Sequence, residues 1–359
     1  MKCAVIGGGI NGVMSAWALA SRGHKVELYE RGELMGATSS ASTKLIHGGL
    51  RYLENGEFRL VREALRERTF WISSAPHLVH RLQLLVPIYR ESRRPRWLMR
   101  CGLFLYDILA GAANLGKHQW LDRRAVDQRC PELRSEDLLG AFAFFDAQMD
   151  DRALGLWAAH EAEQSSVVMH TGTEIRNIRE DGTLELDGST TAYDVILNVA
   201  GPWAEAVLDQ SGIRHAHSLD LVRGSHLLLT QTATHAFLVE VPDEERFCFI
   251  LPYQGQTLVG TTEVSQTLRD PIECSIEEQS YLLRVYNRYI QPSATASDVT
   301  RRFSGLRPLL RSNRNHSRAT REYAIEVQNR VVSVFGGKWT TARALGEKVA
   351  STAEAAARG

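Results

Sequence analysis

The sequence predicts a mixed α/β (α+β) fold: a Rossmann-like nucleotide-binding domain with an inserted antiparallel-sheet substrate domain. Three observations predict it. Apolar strands alternate with amphipathic helices at both ends of the chain, a glycine-rich turn joins the first strand to the first helix, and the segment between alternates as strands. Because nucleotide-binding segments lie at both ends, we expect the first domain to be discontinuous in sequence.

The N-terminal unit is a strand at residues 3–6, a helix at 11–22 and a second strand at 25–30. Further helices are predicted at residues 57–75, 97–110, 150–164 and 275–289, with a closing helix after Lys338. A hairpin is expected at the Asp181-Gly182 turn, and strands at 193–198, 225–230, 247–251, 257–260, 299–303, 323–327 and 331–335. We predict that residues 1–80, 146–215 and 299–359 form the nucleotide-binding domain and that residues 81–145 and 216–298 form the substrate domain.

The composition argues against several classes of function. Lys+Arg and Asp+Glu are both 42, so the formal net charge is zero, which argues against nucleic-acid binding by a cationic surface. Five scattered cysteines without a CxxC pair predict reduced thiols, and neither a disulfide framework nor a metal site. Lys2 leads directly into an apolar strand and no apolar run approaches the roughly 20 residues of a bilayer span. We therefore expect a cytoplasmic protein, with any membrane contact peripheral.

The glycine-rich turn fits the dinucleotide-binding pattern G-x-G-x-x-G, with Asn11 just before its last glycine. Gly7 allows the tight turn, Gly9 lets the backbone approach a pyrophosphate, and Gly12 lets helix and strand pack closely. The helix N-terminus supplies N–H groups and a positive dipole end to the phosphates. Glu30 ends the second strand, where an acid accepts hydrogen bonds from ribose hydroxyls and would repel a 2′-phosphate.

Two later segments favour FAD over NAD. The predicted strand at residues 193–198 ends in a small-residue turn with Ala200 and Gly201, which suits close approach of a ligand. The last helix is preceded by Gly337, Lys338, Trp339 and Thr340. A lysine beside a helix N-terminus forms an anion site, which would stabilise the negative charge that reduced flavin carries near N1.

Residues 38–53, TSSASTKLIHGGLRYL, closely resemble the signature of FAD-dependent glycerol-3-phosphate dehydrogenases, within the D-amino-acid-oxidase-like flavoprotein superfamily. Further matches run along the whole chain: MDD at 149–151, AGPW at 200–203, RGSH at 223–226, GTT at 260–262, SGLRPL at 304–309, TREY at 320–323 and FGGK at 335–338. Members of that family usually continue into a helical C-terminal domain; because the sequence ends at Gly359, we expect this chain to differ from them there.

The resemblance implies non-covalent FAD, oxidation of sn-glycerol 3-phosphate to dihydroxyacetone phosphate, and electron transfer to a quinone or another acceptor. It also implies that the substrate pocket beside the flavin is lined by Arg51, Tyr52, His226, Arg307, Arg321 and Lys338. Ser39, Ser40 and Thr43 would lie along the FAD, with His47 near the flavin. Related amine dehydrogenases attach FAD through a histidine in a similar loop, but the motif around His47 resembles the non-covalent branch.

The residue types fit this chemistry. An arginine fork matches phosphate oxygens, so Arg51, Arg307 and Arg321 suit a phosphorylated substrate, although the sequence leaves open which of them binds the phosphate. Arginine stays protonated whereas histidine titrates near neutrality, so His226 is the candidate general base.

Residues 90–110 carry a basic, Trp-bearing run followed by an apolar helix: Arg93, Arg94, Arg96, Trp97 and Arg100, then residues 103–106. This pattern suits either a membrane interface or a solvated charge run beside a buried helix.

Two alternative functions also stay open. One is a flavin enzyme for an amine, amino acid or 2-hydroxy acid, because a carboxylate also binds an arginine fork. The other is a non-catalytic FAD-binding paralogue.

Overall fold

The computed structural model describes residues 1–311 and 323–358. The helices are α1 (Ile10–Ser21), α2 (Phe58–Ser74), α3 (Arg96–Ala110), α4 (Arg123–Arg129), α5 (Asp151–Gln164), α6 (Ala204–Gln210), α7 (Ile276–Tyr289) and α8 (Ala342–Ala356). The strands are β1 (Lys2–Ile6), β2 (Lys25–Tyr29), β3 (Leu45–Ile46), β4 (Val79–Tyr89), β5 (Gln119–Asp122), β6 (Leu138–Met149), β7 (Val167–His170), β8 (Asn177–Ile178), β9 (Thr183–Leu186), β10 (Ser189–Ala192), β11 (Val195–Asn198), β12 (Leu219–Leu229), β13 (Ala236–Glu240), β14 (Phe247–Tyr253), β15 (Gln256–Gly260), β16 (Val264–Ser265), β17 (Val299–Leu310), β18 (Tyr323–Gln328) and β19 (Val331–Gly336).

A six-stranded sheet in the order β18-β19-β11-β1-β2-β7 holds the N-terminal unit. Its strands pair in parallel, except that β18 runs antiparallel to β19. Helices α1, α5 and α8 contribute apolar side chains to one core with β1, β2 and β11, including Val13, Leu154 and Val349. The carboxyl ends of β1, β2 and β11 lead into Gly7, Glu30 and Val199, and ligands bind at such an edge of an open parallel sheet.

A second, larger sheet has the order β16-β12-β15-β14-β13-β4-β6-β3, with β17 on β12 and β5 on β6. The sequence pattern missed the long antiparallel pair β4 and β6, because both strands are buried along most of their length and so show no polar alternation. His226 of β12 lies opposite Gly260 of β15, which lies opposite Phe249 of β14, so these residues form one rung across the sheet.

The two sheets confirm the predicted mixed fold. The larger sheet is antiparallel except where β13 pairs in parallel with β4, and it is built mainly from inserted segments. The β8–β9 pair also forms the expected hairpin about Asp181-Gly182. The strand β17 pairs with β12 from Leu310 to Val299 and therefore belongs to the larger sheet. The boundaries between a nucleotide-binding and a substrate domain stay a prediction.

The basic run at residues 93–100 divides into two parts, which corrects the expectation of one exposed cluster. Arg94 is 9% exposed and its guanidinium binds the carboxylates of Glu54 at 2.9 Å and Glu240 at 3.0 Å. Arg93, Arg96 and Arg100 are exposed. Among the helices in residues 1–311 and 323–358, none combines the length and apolar character that crossing a membrane requires.

Candidate functional site

A cavity of about 650 Å³ is lined by both sheets and brings together most of the residues selected from the sequence. The lining includes Gly7, Gly9, Asn11, Glu30, Ser39, Thr43, His47, Arg51, Tyr52, Ala200, Gly201, His226, Arg307, Gly337, Lys338, Trp339 and Thr340. Gly12 and Ser40 are not part of the lining but support segments that are. Arg321 lies outside the described residues.

The three glycines of the first turn have different surroundings. Gly7 has φ +110°, and a Cβ there would lie 2.6 Å from the Val199 carbonyl oxygen. A Cβ on Gly12 would lie 1.9 Å from the Gly7 carbonyl oxygen, so only glycine lets α1 approach the turn this closely. A Cβ on Gly9 would meet a single described atom within 4 Å, the Ser39 Oγ at 3.0 Å. The backbone at Gly9 is therefore the part of the turn that stays open to a ligand.

Polar groups beside the turn are positioned for a dinucleotide. The Glu30 carboxylate accepts hydrogen bonds from the backbone N–H of Gly8 at 2.7 Å and of Gly32 at 2.8 Å, which fixes it at the end of β2. Each carboxylate oxygen has a second lone pair with which to accept a ribose hydroxyl. The buried Asn11 Oδ1 has no hydrogen-bond partner among the described residues. These features fit a bound dinucleotide.

Two distant segments of the lining are joined by hydrogen bonds. The Ser39 Oγ accepts from the Ile10 N–H at 3.0 Å, and the Ser39 carbonyl accepts from the Trp339 indole at 2.8 Å. The indole of Trp71 in α2 donates to the Thr340 carbonyl at 3.0 Å. The loop after β2 and the turn before α8 are thereby held against each other at the cavity.

A buried ion pair fixes the loop that carries Thr43. Lys44 has φ +61°, and its Nζ donates to the Asp151 carboxylate at 2.6 Å and to the Ser40 carbonyl at 2.8 Å. Asp151 also accepts from the Ser42 hydroxyl at 2.7 Å. Ser40 and Asp151 thus support the loop beside the cavity. The sequence indicated their importance only through the motifs at residues 38–53 and 149–151.

A second buried cluster supports the glycines that follow His47. Asp146 accepts hydrogen bonds from Arg68 at 2.6 Å, from the Tyr106 hydroxyl at 2.7 Å and from the Gly48 N–H at 3.1 Å. Burial and the neighbouring carboxylate raise the pKa of Tyr106, so its hydroxyl remains a donor. Sequence reasoning missed this cluster because its members come from α2, α3 and β6.

His226 is 2% exposed, and its imidazole stacks on Phe303 with the ring centroids 4.9 Å apart. The Nε2 atom forms a hydrogen bond with the Thr43 hydroxyl at 2.9 Å. Burial, with the positive charges of Lys44 and Arg307, lowers the pKa of His226 to about 3. The imidazole is therefore neutral at pH 7 and able to accept a proton.

Several cationic side chains line the same cavity as this histidine. Arg307 donates from Nη2 to the Thr262 carbonyl at 2.8 Å, and its Nη1 lies 3.7 Å from Glu263. The Lys338 ammonium lies 3.9 Å from the centroid of the Tyr52 ring. The lining also includes Arg246, which the sequence analysis missed because a single arginine before a strand carries no motif signal.

Comparison with known proteins identifies the family. The model of the family "FAD dependent oxidoreductase" (DAO) matches residues 2–352. The chain belongs to this family. Its cofactor is FAD, and the open turn at Gly9, the carboxylate of Glu30 and the buried Asn11 oxygen fit that dinucleotide.

Curated relatives support a closer grouping. The chain is 38% identical over 364 residues to a glycerol-3-phosphate dehydrogenase of Pseudomonas tolaasii, covering 96% of this chain and 69% of the relative. It is also 38% identical over 363 residues to a D-erythritol 1-phosphate dehydrogenase of Brucella abortus (strain 2308), covering 96% of this chain and 72% of the relative.

Solved structures share the fold. The glycerol-3-phosphate dehydrogenase from Bacillus halodurans complexed with FAD superposes with a TM-score of 0.78 at 24% identity. That match covers 100% of this chain and 64% of the Bacillus chain, so the chain spans less than two thirds of this structure. The L-alpha-glycerophosphate oxidase from Mycoplasma pneumoniae with FAD bound has a TM-score of 0.76 at 16% identity, covering 100% and 94% of the two chains.

Proposed function

We propose that this protein oxidises sn-glycerol 3-phosphate to dihydroxyacetone phosphate with FAD as the electron acceptor. The observation that carries the proposal is a neutral histidine, His226, beside cationic Arg307 in the cavity that also contains the dinucleotide turn. Relatives that are named glycerol-3-phosphate dehydrogenase and match 96% of this chain support the choice of substrate. Bound FAD would supply the flavin N5 that takes the hydride from C2.

In this proposal His226 accepts the proton of the C2 hydroxyl at Nε2, which now shares a hydrogen bond with Thr43. A base whose pKa is about 3 is weak in the empty cavity. An anionic substrate beside Arg307 would offset part of the positive charge that lowers this pKa. Substrate binding would therefore make the histidine a stronger base when it is needed.

The remaining cations bind and orient the substrate in this proposal. Arg307 is held by the Thr262 carbonyl, with its guanidinium in the cavity lining. Arg51, Tyr52 and Lys338 line the same cavity, and Lys338 would stabilise negative charge on a reduced flavin. Arg321 keeps its motif-based assignment to the substrate pocket as part of the proposal.

A second candidate substrate is a longer phosphorylated polyol, because the D-erythritol 1-phosphate dehydrogenase of Brucella abortus is 38% identical to this chain, as is the Pseudomonas tolaasii relative. Both candidates carry a phosphate and a secondary alcohol. They differ in the length of the carbon chain that the cavity must accept.

Anaerobic mixing tests the proposal. The purified FAD-containing protein is mixed with glycerol 3-phosphate, D-erythritol 1-phosphate, glycerol, glycine or proline, and flavin absorbance is followed. We expect glycerol 3-phosphate to reduce the flavin fastest and glycerol only at far higher concentration. Faster reduction by D-erythritol 1-phosphate would reassign the substrate. Reduction by the amino acids alone, or by none of the compounds, would refute a phosphorylated-alcohol dehydrogenase.

We further propose that electrons pass to a quinone and that α3 contacts the membrane surface. The support is an exposed apolar face on α3 beside the exposed Arg93, Arg96 and Arg100. The exposed apolar side chains are Trp97 (67%), Leu98 (41%), Phe104 (60%) and Ile108 (57%).

Vesicle sedimentation tests the membrane contact. Wild type should sediment with anionic vesicles, less so at high salt, and the Arg93→Glu/Arg96→Glu/Arg100→Glu variant should stay in the supernatant with its FAD. The matched control makes the same charge change at exposed arginines around the β8–β9 hairpin, namely Arg176, Arg179 and Arg330. Equal sedimentation of both variants would contradict a specific role of α3. Reduction of a water-soluble quinone by the substrate-reduced protein tests the acceptor.

A further inference from the structure

The 3₁₀ helix Leu50–Asn55 forms part of the cavity wall. Its residues Leu50, Arg51, Tyr52 and Glu54 all belong to the lining. Arg51 and Tyr52 are also residues that the proposed function assigns to substrate binding. The position of this 3₁₀ helix therefore determines where two substrate-binding side chains lie.

A left-handed glycine lies at each end of this 3₁₀ helix. Gly49 precedes it with φ +74°, and Gly56 follows it with φ +72°. Residues 54–56 are exposed, and a Cβ on Gly56 would meet none of the described atoms within 4 Å. Because a short 3₁₀ helix has poor hydrogen-bond geometry, it needs contacts with the rest of the protein to keep one position.

Arg94, in the loop between β4 and α3, binds the exposed end of this 3₁₀ helix. Its Nε and Nη2 donate to the two carboxylate oxygens of Glu54, the Nη2 at 2.9 Å. A guanidinium that binds both oxygens of a carboxylate fixes its orientation as well as its distance. Since Glu54 is three residues from Arg51, the ion pair fixes the 3₁₀ helix close to its substrate-binding side chains.

Arg94 is itself held by the larger sheet. Its backbone N–H and its Nη1 both donate to the carboxylate of Glu240 in β13, at 3.2 and 3.0 Å. Its guanidinium carbon lies 4.4 Å from the ring centroid of Phe247 in β14, the residue that pairs with Glu240. Phe247 lines the cavity, whereas Arg94 is not part of the lining. Arg94 therefore joins the sheet to the 3₁₀ helix from outside the cavity.

We propose that Arg94 is a positioning residue for the substrate pocket, because by binding Glu54 it holds the 3₁₀ helix that presents Arg51 and Tyr52 to the substrate. This inference rests on the proposed oxidation of a phosphorylated alcohol. Without the Arg94–Glu54 pair, the 3₁₀ helix occupies its binding-competent position for a smaller fraction of the time. The apparent affinity for the substrate falls with that fraction.

The charge of Glu54 alone would have the opposite effect on substrate affinity. Glu54 is a carboxylate in the lining of a cavity that is proposed to bind a phosphate. Its replacement by glutamine removes a negative charge, which by itself would strengthen the binding of an anionic substrate. The direction of the change in affinity therefore separates a positioning role of the Arg94–Glu54 pair from a purely electrostatic role of Glu54.

The test compares Glu54→Gln with Glu245→Gln. Glu245 forms the neighbouring ion pair with Arg93 at 3.3 Å, and the two carboxylate side chains are similarly exposed, at 41% for Glu54 and 44% for Glu245. Glu245 is not part of the cavity lining, so its replacement makes the same charge change outside the cavity wall. Arg94→Lys is a third variant, which keeps the positive charge and loses the fork.

The first measurement is anaerobic flavin reduction by glycerol 3-phosphate in the FAD-containing proteins. For Glu54→Gln we expect the half-saturating concentration to rise about twofold to fivefold, as the loss of a partly exposed ion pair implies. The limiting rate should stay unchanged, because bound substrate itself holds Arg51 and Tyr52 in place. Glu245→Gln should match wild type, and Arg94→Lys should show a smaller rise. Combining Arg94→Lys with Glu54→Gln should add little, because both changes break the same pair.

The second measurement is hydrogen–deuterium exchange of the backbone amides at residues 50–56, followed by mass spectrometry without substrate. Amides in a segment that opens locally exchange faster. We therefore expect faster exchange in Glu54→Gln and Arg94→Lys than in wild type and Glu245→Gln.

A half-saturating concentration that is unchanged or lowered in Glu54→Gln would overturn the proposal, as would unchanged exchange at residues 50–56. The exchange measurement also separates this inference from the proposed function. If glycerol 3-phosphate does not reduce the wild-type flavin, the proposed function fails, while faster exchange only in the Glu54 and Arg94 variants would still support the role of Arg94 in holding the 3₁₀ helix. If Glu54→Gln does not retain FAD, Arg94→Lys is decisive by the same criteria.

Discussion

Replacement of Gly9 by alanine separates cofactor binding from folding. Within 4 Å, the new Cβ would meet a single atom of the described residues, the Ser39 Oγ at 3.0 Å, and the N-cap Gly9 has φ −76°, which alanine adopts without strain. The small adjustment at Ser39 is offset by the lower entropy of the unfolded alanine chain, so the free energy of unfolding of the apoprotein should change by less than about 1 kcal/mol. The methyl group occupies the space that a pyrophosphate needs in order to reach the backbone N–H groups.

The matched comparison is Gly12→Ala, whose Cβ would lie 1.9 Å from the Gly7 carbonyl oxygen. That contact forces α1 away from the turn and should cost about 1–3 kcal/mol of stability. Loss of one hydrogen bond to a phosphate, about 1.5–3 kcal/mol, corresponds to a tenfold to roughly hundredfold weaker Kd for FAD in Gly9→Ala.

The assay is FAD titration of each apoprotein by flavin fluorescence, together with urea unfolding without FAD. We expect Gly9→Ala to lose affinity at wild-type stability and Gly12→Ala to lose both. Wild-type affinity in Gly9→Ala would show that the pyrophosphate does not approach this turn at Gly9. Destabilisation of Gly9→Ala comparable with that of Gly12→Ala would contradict the open environment assigned to Gly9.

Three further predictions concern side chains around the cavity. Arg68→Leu leaves the buried Asp146 without its cation and should lower the free energy of unfolding by about 3–5 kcal/mol. The control Arg66→Leu, at an exposed position, should lower it by about 0.5 kcal/mol. Equal losses of stability for the two variants in urea unfolding would contradict this expectation. Because the pKa of His226 is lowered to about 3, its ring stays neutral as the pH falls from 8 to 5, so kcat/KM for flavin reduction should show no acid limb near pH 6.5. An acid limb near pH 6.5 that is present in wild type and absent in His226→Asn would refute the lowered pKa of His226. Lys338→Met should lower the flavin midpoint potential, because removing a positive charge disfavours anionic reduced flavin; an unchanged potential in a spectroelectrochemical titration would remove Lys338 from that role.

The parts of the fold that could be predicted are those with a local signal. The Gly7 turn, α1 and β2 follow one another within thirty residues and carry both hydrophobic periodicity and fixed glycine positions. In contrast, β6 is buried on both faces, and the pairing of β4 with β6 is a contact between distant segments that no local pattern encodes.

The candidate site divides in the same way. Residues inside motifs, such as Thr43, His226 and Lys338, were selected from sequence and line the cavity. Arg246 also lines the cavity but was missed, because it lies outside the motifs and its position depends on a contact with the Thr261 carbonyl, fifteen residues later. Arg94 was misassigned because a run of charges does not show that one member turns inward to meet Glu54 and Glu240.

The two sheets contribute different kinds of groups to one cavity, so substitutions on the two sheets should have different effects. The parallel sheet presents backbone N–H groups at the Gly7 turn, whereas the antiparallel sheet presents side chains such as His226, Arg246 and Arg307. Backbone groups are unaffected by most side-chain changes, so at the turn itself it is glycine replacements that should weaken FAD binding. Side-chain replacements on the antiparallel sheet should change which alcohol is oxidised while FAD stays bound. Substrate choice can therefore differ between members of the family that keep the same cofactor.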